Sequence, residues 1–220
     1  TFSLPADTDF ITGAATLYNY GTSFHALKDR AKLQPGETLL VLGAGGGVGL
    51  AAVELGAQMG ATVIAAASSP DKLELCRQKG AAHLIDYTAS DLRTRIKELT
   101  ADRGIDVVYD PVGGGLTEPA LRSMAWRGRY LVVGFAAGKI PEIPLHLILL
   151  KGCSVMGVFW GSFSEREPAT NMDNFQALLR MIKKGEIRPH IYKVYPLERA
   201  ADALTDLLER RVAGKAVVQI

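Results

Sequence analysis

The chain has 220 residues, a formal net charge of +2 and 48% hydrophobic residues. That length and composition support a packed core and exclude a disordered chain. Charges of both signs are interspersed, without a basic block or basic–aromatic stripe, which argues against nucleic acid as a partner. Apolar runs are too short and too broken by glycine to span a bilayer, so no membrane partner is expected. Cys76 and Cys153 stand far apart and form neither a disulfide framework nor a CxxC site, as expected for a reducing, cytoplasmic compartment. The N-terminus carries no initiator methionine and no secretory pattern, and it opens mid-pattern, as expected of an excerpt from a longer protein.

In chain order, Asp7 to Lys32 reads as helical, rich in alanine and aromatics, with a break expected near Asn19-Tyr20-Gly21. Gln34 to Glu37 supply a turn, and Thr38–Leu42 is an apolar strand. A βαβ rhythm follows: helix Val48–Met59, strand Thr62–Ala67, then a helix opened by Pro70 and ended by Gly80, with Ser69 as its N-cap. Strand His83–Asp86, helix Ser90–Leu99, strand Asp106–Asp110, helix Leu116–Trp126 and strand Arg129–Val133 continue it. Beyond a loop, CSVMGVFWG is strand-like, Asp173–Lys184 and Arg199–Arg211 are helical, and GKAVVQI is a closing strand. TLLVLG, TVIAAA, DVVYD and RYLVVG are apolar throughout, as parallel strands buried on both faces require. The expected fold is α/β: a doubly wound parallel sheet of the Rossmann kind, in three αβα layers.

The strongest chemical signal is VLGAGGGVGLAAVELGAQMG. Gly43, Gly46 and Gly49 recur at three-residue spacing between a buried strand and an alanine-rich helix. Glycine allows a tight turn and close approach of backbone N–H groups to a pyrophosphate, and the helix N-terminus adds free N–H groups. A GxGxxG match anchored on Gly43 fails at Val48, and the alternative is a glycine-rich turn without a ligand. The strand before and helix after make the ligand reading specific. No GK[ST] follows, which disfavours a nucleoside-triphosphate loop.

The end of the second strand selects the dinucleotide. An acid there accepts from the ribose 2′-OH of NAD, but this chain reads AAASSPDK. Ser68 and Ser69 are expected to donate to a 2′-phosphate and Lys72 to add positive charge, which points to NADPH. The alternative for Lys72 is an ordinary exposed helix lysine, and Asp71 reads as a first-turn acid favoured by the helix dipole.

The phrases LQPGETLLVLGAGGGVGLAAVELG, SSPDKLELCRQKGAAHLIDY, DRGIDVVYDPVGG, GRYLVVGF and KVYPLERAADAL resemble the medium-chain dehydrogenase/reductase superfamily, in its zinc-free NADPH:quinone oxidoreductase branch. The resemblance runs over the whole chain and implies a set of cofactor contacts. Gly46, Gly47 and Val48 cradle the pyrophosphate. Lys72 meets the 2′-phosphate with Tyr87 as its adenosine-side partner, and Val112 and Gly113 line the cleft. Gly134, Phe135, Phe159, Trp160 and Thr22 approach the nicotinamide. Phe159 and Trp160 could instead be core or dimer-face aromatics, and Tyr87 a strand-end tyrosine reaching water.

Two departures from the family qualify this. Where zinc-dependent relatives carry a cysteine, this chain reads LYNYG. His25, His83, His146 and His190 have no metal spacing with either cysteine, so no metal is expected and His25 is read as packed or solvated. The family's preceding GroES-like substrate domain is almost wholly absent. Residues 1–33 are therefore expected to connect from it, 34–190 to form the dinucleotide-binding domain, and 191–220 to be its remnant. The catalytic residues stay unassigned, with Tyr18, Asn19 and Tyr20 the nearby polar candidates.

The expected function is an oxidoreductase passing hydride from NADPH to a conjugated carbonyl such as a quinone or enone, a small-molecule partner. The alternative is an NADPH-binding module without turnover. A flavin or S-adenosylmethionine enzyme would leave Lys72 and the serines without a purpose. A homodimer is expected through the edge strand near Val155.

Overall fold

Strand β1 (Thr38–Leu42) is buried along its whole length in the computed structural model, which describes residue 4 and residues 8–220. Its sequence lacks polar alternation because both faces are covered. Leu39 and Val41 enter one core cluster, Leu40 and Leu42 the other. Each such fully buried side chain contributes about 1.5–3 kcal/mol. Strands β2 (Thr62–Ala67), β3 (His83–Asp86), β4 (Ile105–Asp110), β5 (Met124–Val132) and β6 (Ser154–Gly157) complete a sheet of order β3-β2-β1-β4-β5-β6, with every pairing parallel.

Helices α1 (Phe10–Phe24), α2 (Gly47–Gln58), α3 (Pro70–Gln78), α4 (Leu92–Thr100), α5 (Thr117–Arg122), α6 (Leu145–Lys151), α7 (Trp160–Arg166) and α8 (Pro168–Lys183) surround it, whereas α9 (Ala200–Leu208) lies against a separate pair of C-terminal strands. Tyr20 and Phe24 of α1, Leu50 of α2, Cys76 of α3 and Leu178 of α8 pack on one face of the sheet. Ile96 of α4, Leu121 of α5 and Leu147 of α6 pack on the other. This is the doubly wound, three-layer α/β fold expected from the strand patterns. Its order reverses between β1 and β4, so a crevice opens at their C-terminal ends. Among the described residues no helix is long and apolar enough to cross a membrane.

Several boundaries differ from the sequence reading, each for a tertiary reason. The expected break at Asn19-Tyr20-Gly21 does not occur: α1 runs unbroken from Phe10, capped by Asp9, whose carboxylate accepts from Thr12 N at 2.8 Å. Gly21 suits that helix because a Cβ there would lie 3.1 Å from the Trp160 indole. After α1, His25–Arg30 widen into a π-helical turn, and Asp7 lies outside the described residues. The helix read as Leu116–Trp126 stops at Arg122, because Met124 already pairs with Ile105 in the sheet. Asp91 caps α4, through Thr94 N at 2.8 Å, so that helix starts later than Ser90.

CSVMGVFWG is a strand only over Ser154–Gly157, and its Trp160 opens α7. Helix α8 begins earlier than Asp173, with Pro168 in its first turn, where a missing N–H costs nothing. Helix α6 and strand β7 (Ile191–Pro196) had no clear periodic signal. β7 pairs in parallel with β8 (Lys215–Gln219), as a sheet apart from the central six strands. That pair is tied to the glycine loop by a bridge between Gly46 and Gly214.

Candidate functional site

The three glycines take three different roles after β1. Gly43 has φ +57°, which turns the chain sharply. Gly46 is the exposed N-cap of α2, and its backbone stays open to approach. A Cβ on Gly49 would sit 2.3 Å from the Gly43 carbonyl oxygen, so this glycine lets α2 pack on β1. Leu50 N makes the first intrahelical bond, to Gly46 O at 2.8 Å, so the amides of Gly47, Val48 and Gly49 lie ahead of it. The Val48 side chain packs against the core, leaving its backbone to face the loop.

At the end of β2, Ser68 is exposed and Ser69 caps α3, accepting from Lys72 N over a long 3.5 Å. The Lys72 stem lies across the glycine loop, where a Cβ on Gly45 would meet it at 2.6 Å. Its ammonium donates to the Arg210 carbonyl at 2.6 Å. Burial, then the neighbouring Arg210 charge, holds the Lys72 ammonium below its ordinary pKa. Arg210 has no ion-pair partner among the described residues, whereas Arg211 pairs with Asp206 at 2.8 Å. Ser68, Ser69, Lys72, His190 and Arg210 share a cleft of about 620 Å³. Tyr87 is half-buried against the core cluster of Ile85 and Leu92 and does not line this cleft, though its N donates to Ala67 O at 3.3 Å.

On the other side of the switch point, Asp110 organises the DPVGG turn. One carboxylate oxygen accepts from Val112 N and Gly113 N, both at 2.8 Å. The other accepts from Tyr130 OH at 2.6 Å and Thr117 Oγ1 at 3.1 Å. Burial, then the Asp110 charge, pushes the Tyr130 phenol up, so it remains a donor. A Cβ on Gly43 would meet Val112 at 2.6 Å, and one on Gly113 would meet the Phe135 ring at 2.9 Å. Gly134 approaches Pro111 O less closely, 3.3 Å from its Cβ position. Gly43, Val112, Gly113, Gly134 and Phe135 thus form one continuous wall.

Phe159 is 74% exposed at the end of β6, which excludes a core aromatic there. Trp160 is half-buried, edge-on to Tyr18 at 5.9 Å. Thr22 is buried and donates its hydroxyl to Tyr18 O at 2.7 Å, which leaves its oxygen lone pairs as acceptors. His25 is packed: it stacks on Phe163 at 3.7 Å and meets Asp29 Oδ2 at 2.9 Å. Among the described residues no group of three His, Cys, Asp or Glu could hold a metal ion.

Sequence reading missed Arg210 and His190 because nothing local ties positions near 200 to Lys72; the β8 connection brings them together. It also missed the role of Asp110, although the acid of DPVGG was visible. An acid ending a buried strand just before a glycine turn is a signal that could have been used.

Fold and site together define a doubly wound α/β domain of the Rossmann class, with a glycine loop at its switch point and a cleft lined by Lys72 and Arg210 at the end of β2. The sequence profile of the family "Zinc-binding dehydrogenase" matches residues 47–182. "Quinone oxidoreductase-like protein 2" of Bos taurus is 37% identical over 220 residues, covering 100% of this chain and 63% of that protein. The crystal structures of Pseudomonas syringae pv. Tomato DC3000 quinone oxidoreductase superpose with a TM-score of 0.91 at 30% identity, over 100% of this chain and 67% of theirs. Escherichia coli quinone oxidoreductase complexed with NADPH gives a TM-score of 0.91 at 26% identity, over 100% and 68%. The chain belongs to the medium-chain dehydrogenase/reductase superfamily, in its quinone oxidoreductase-like branch. It spans about three-fifths of the length of the curated relatives it matches.

Proposed function

We propose that this protein is an NADPH-dependent oxidoreductase that delivers hydride to a quinone or another conjugated carbonyl. The observation carrying this is the cleft at the end of β2. There the Lys72 ammonium reaches the Arg210 backbone beside two serines, and although Asp71 and Glu74 also line the cleft, no acid stands at the strand end where a 2′-hydroxyl would be held. The glycine loop fits the group's diphosphate, since exposed Gly46 caps α2 and the first-turn amides lie ahead of its first intrahelical bond. The resemblance of the fold to a quinone oxidoreductase complexed with NADPH supports the same cofactor.

In this reading Gly46, Gly47 and the Val48 amide hold the diphosphate at the start of α2. Ser68, Ser69 and Lys72 hold the 2′-phosphate with Arg210, and Tyr87 flanks the adenosine. Val112, Gly113, Gly134 and Phe135 wall the cleft toward the nicotinamide, where Thr22 offers an acceptor to the carboxamide. Phe159 and Trp160 present aromatic surface to a planar acceptor. Bound NADPH supplies the hydride; the chain's part is to bind, orient and exclude water.

The same reading includes zinc-independent chemistry, a cytoplasmic location and a homodimer through β6. It keeps residues 34–190 as the dinucleotide-binding domain, with 1–33 and 191–220 leading to and from a GroES-like substrate domain. The test measures NADPH binding and quinone reduction on one preparation. Quenched NADPH fluorescence or a raised melting temperature, together with NADPH-dependent quinone loss, is the expected result. Binding without turnover would favour an NADPH-binding module, and absence of binding would overturn the proposal. If the 220 residues are assayed apart from a substrate domain, binding persists while turnover falls, because water enters the cleft.

A further inference from the structure

Asn19 is 94% buried by its 6% exposure, yet its carboxamide makes no hydrogen bond to any described residue. No fully enclosed side-chain polar atom lacks a partner among the described residues, so the free atoms of Asn19 retain access to solvent. They reach it through a narrow crevice shared with Gly47, His190, Gly214 and Lys215. The carboxamide stands over the first turn of α2, with Nδ2 2.6 Å from where a Gly47 Cβ would lie. A twelve-residue helix therefore starts beneath an amide that has no partner among the described residues.

The neighbours of Asn19 fix its position. Tyr20 hydrogen-bonds the buried Glu54 of α2, which also accepts from Lys79 Nζ at 2.8 Å. Four residues along α1, Ser23 donates to Val48 O at 2.8 Å and meets Tyr109 OH at 2.9 Å. Both clamps join α1 to α2, so the amide is held over Gly47 before any ligand arrives.

We infer that the Asn19 carboxamide donates a hydrogen bond to the diphosphate of the bound dinucleotide, beside the first-turn amides of α2. This rests on the dinucleotide reading above and adds a side-chain donor to it. A neutral donor next to an anion makes a charge-assisted bond without bringing a counter-charge into the crevice.

The experiment compares NADPH with adenosine 2′-monophosphate, which keeps the adenosine and 2′-phosphate but lacks the diphosphate. Affinities are measured by calorimetry on the wild type, Asn19→Ala and Asn19→Asp. NADPH is expected to bind Asn19→Ala about tenfold more weakly. It should bind Asn19→Asp more weakly still, through repulsion of like charges. Adenosine 2′-monophosphate is expected to bind all three alike. Unchanged NADPH affinity in both variants, or an equal loss for both ligands, overturns the inference, since the second marks a residue that merely supports the fold. If Asn19→Asp fails to fold, Asn19→Ala decides alone. A wild type that binds neither ligand overturns the dinucleotide reading itself, which the variants do not.

Discussion

Tyr130 of β5 donates its hydroxyl to Asp110 of β4 at 2.6 Å, at the strand end that leads into the DPVGG turn. The same carboxylate holds the amides of Val112 and Gly113, so one buried acid joins two strands to the loop that walls the cleft. Asp110→Ala would leave the phenol and two amides without their acceptor. Its expected cost is about 3 kcal/mol or more in urea unfolding, against about 1 kcal/mol for Tyr130→Phe. Equal effects of the two substitutions would show that Asp110 does not organise the loop.

Lys72→Ala removes a cation from the proposed 2′-phosphate cleft. NADPH affinity is expected to fall about ten- to a hundredfold, while NADH binding stays nearly unchanged. Arg210→Ala should show the same selectivity. If NADPH and NADH weaken together, the cleft does not read the 2′-phosphate.

Strand β6 is one of the two edges of the sheet, where Arg30 Nε donates to Gly157 O at 3.2 Å. Val155 and Met156 face opposite core clusters, so lysines there would disturb packing rather than report on assembly. Val158 N donates to Val132 O, and alternation along the strand turns the Gly157 N–H to the open edge. Gly157→Pro is therefore expected to keep the β5 pairing while blocking association through that edge. Light scattering should show a wild-type dimer and a monomeric variant; an unchanged dimer would place the interface elsewhere.

Zinc content gives an independent check on the proposed chemistry. Elemental analysis of the purified protein should find no stoichiometric zinc, and chelator should leave the melting temperature unchanged. About one equivalent of zinc would refute a zinc-independent reductase.

Arg129 bonds Glu37 through both terminal nitrogens, at 2.7 and 2.6 Å, and ties β5 to the turn before β1. Burial pushes the Glu37 carboxyl up, but the Arg129 hydrogen bonds, the Gln34 amide and the Arg129 charge outweigh it and hold it below its ordinary 4.5. The unfolded chain thus binds the proton more readily. The pair's stabilisation is complete above pH 4.5 and is lost as pH falls through the folded-state value. Arg129→Met should flatten the decline in melting temperature below pH 4.5; an undiminished decline would show that other carboxylates cause it.

Local chemistry alone was enough for the central architecture. The short apolar runs of β1 and β2, bounded by turn residues, fit strands covered on both faces, and β2 and β3 end where their sequences turn polar or reach a cap. The glycines after β1 were readable for the same reason: φ above zero and close backbone approach are demands that few other residues meet. Ser69 was legible as a cap, and Lys72 as a cation near it.

What tertiary structure decided lies where distant residues meet. Trp126 is helical by local pattern, but pairing of β5 with β4 claims its segment for the sheet. Gly21 is a helix breaker in isolation, yet packing of Trp160 against it keeps α1 whole. Arg210 stands 138 residues from Lys72, and only the return of β8 to the glycine loop sets them together. Asn19 reads only as one of three polar candidates beside the cleft until α1 crosses α2 and its amide is left over Gly47. Propensity and periodicity act over a few residues, whereas a binding crevice is made by contacts that chain-end geometry fixes only after the sheet has formed.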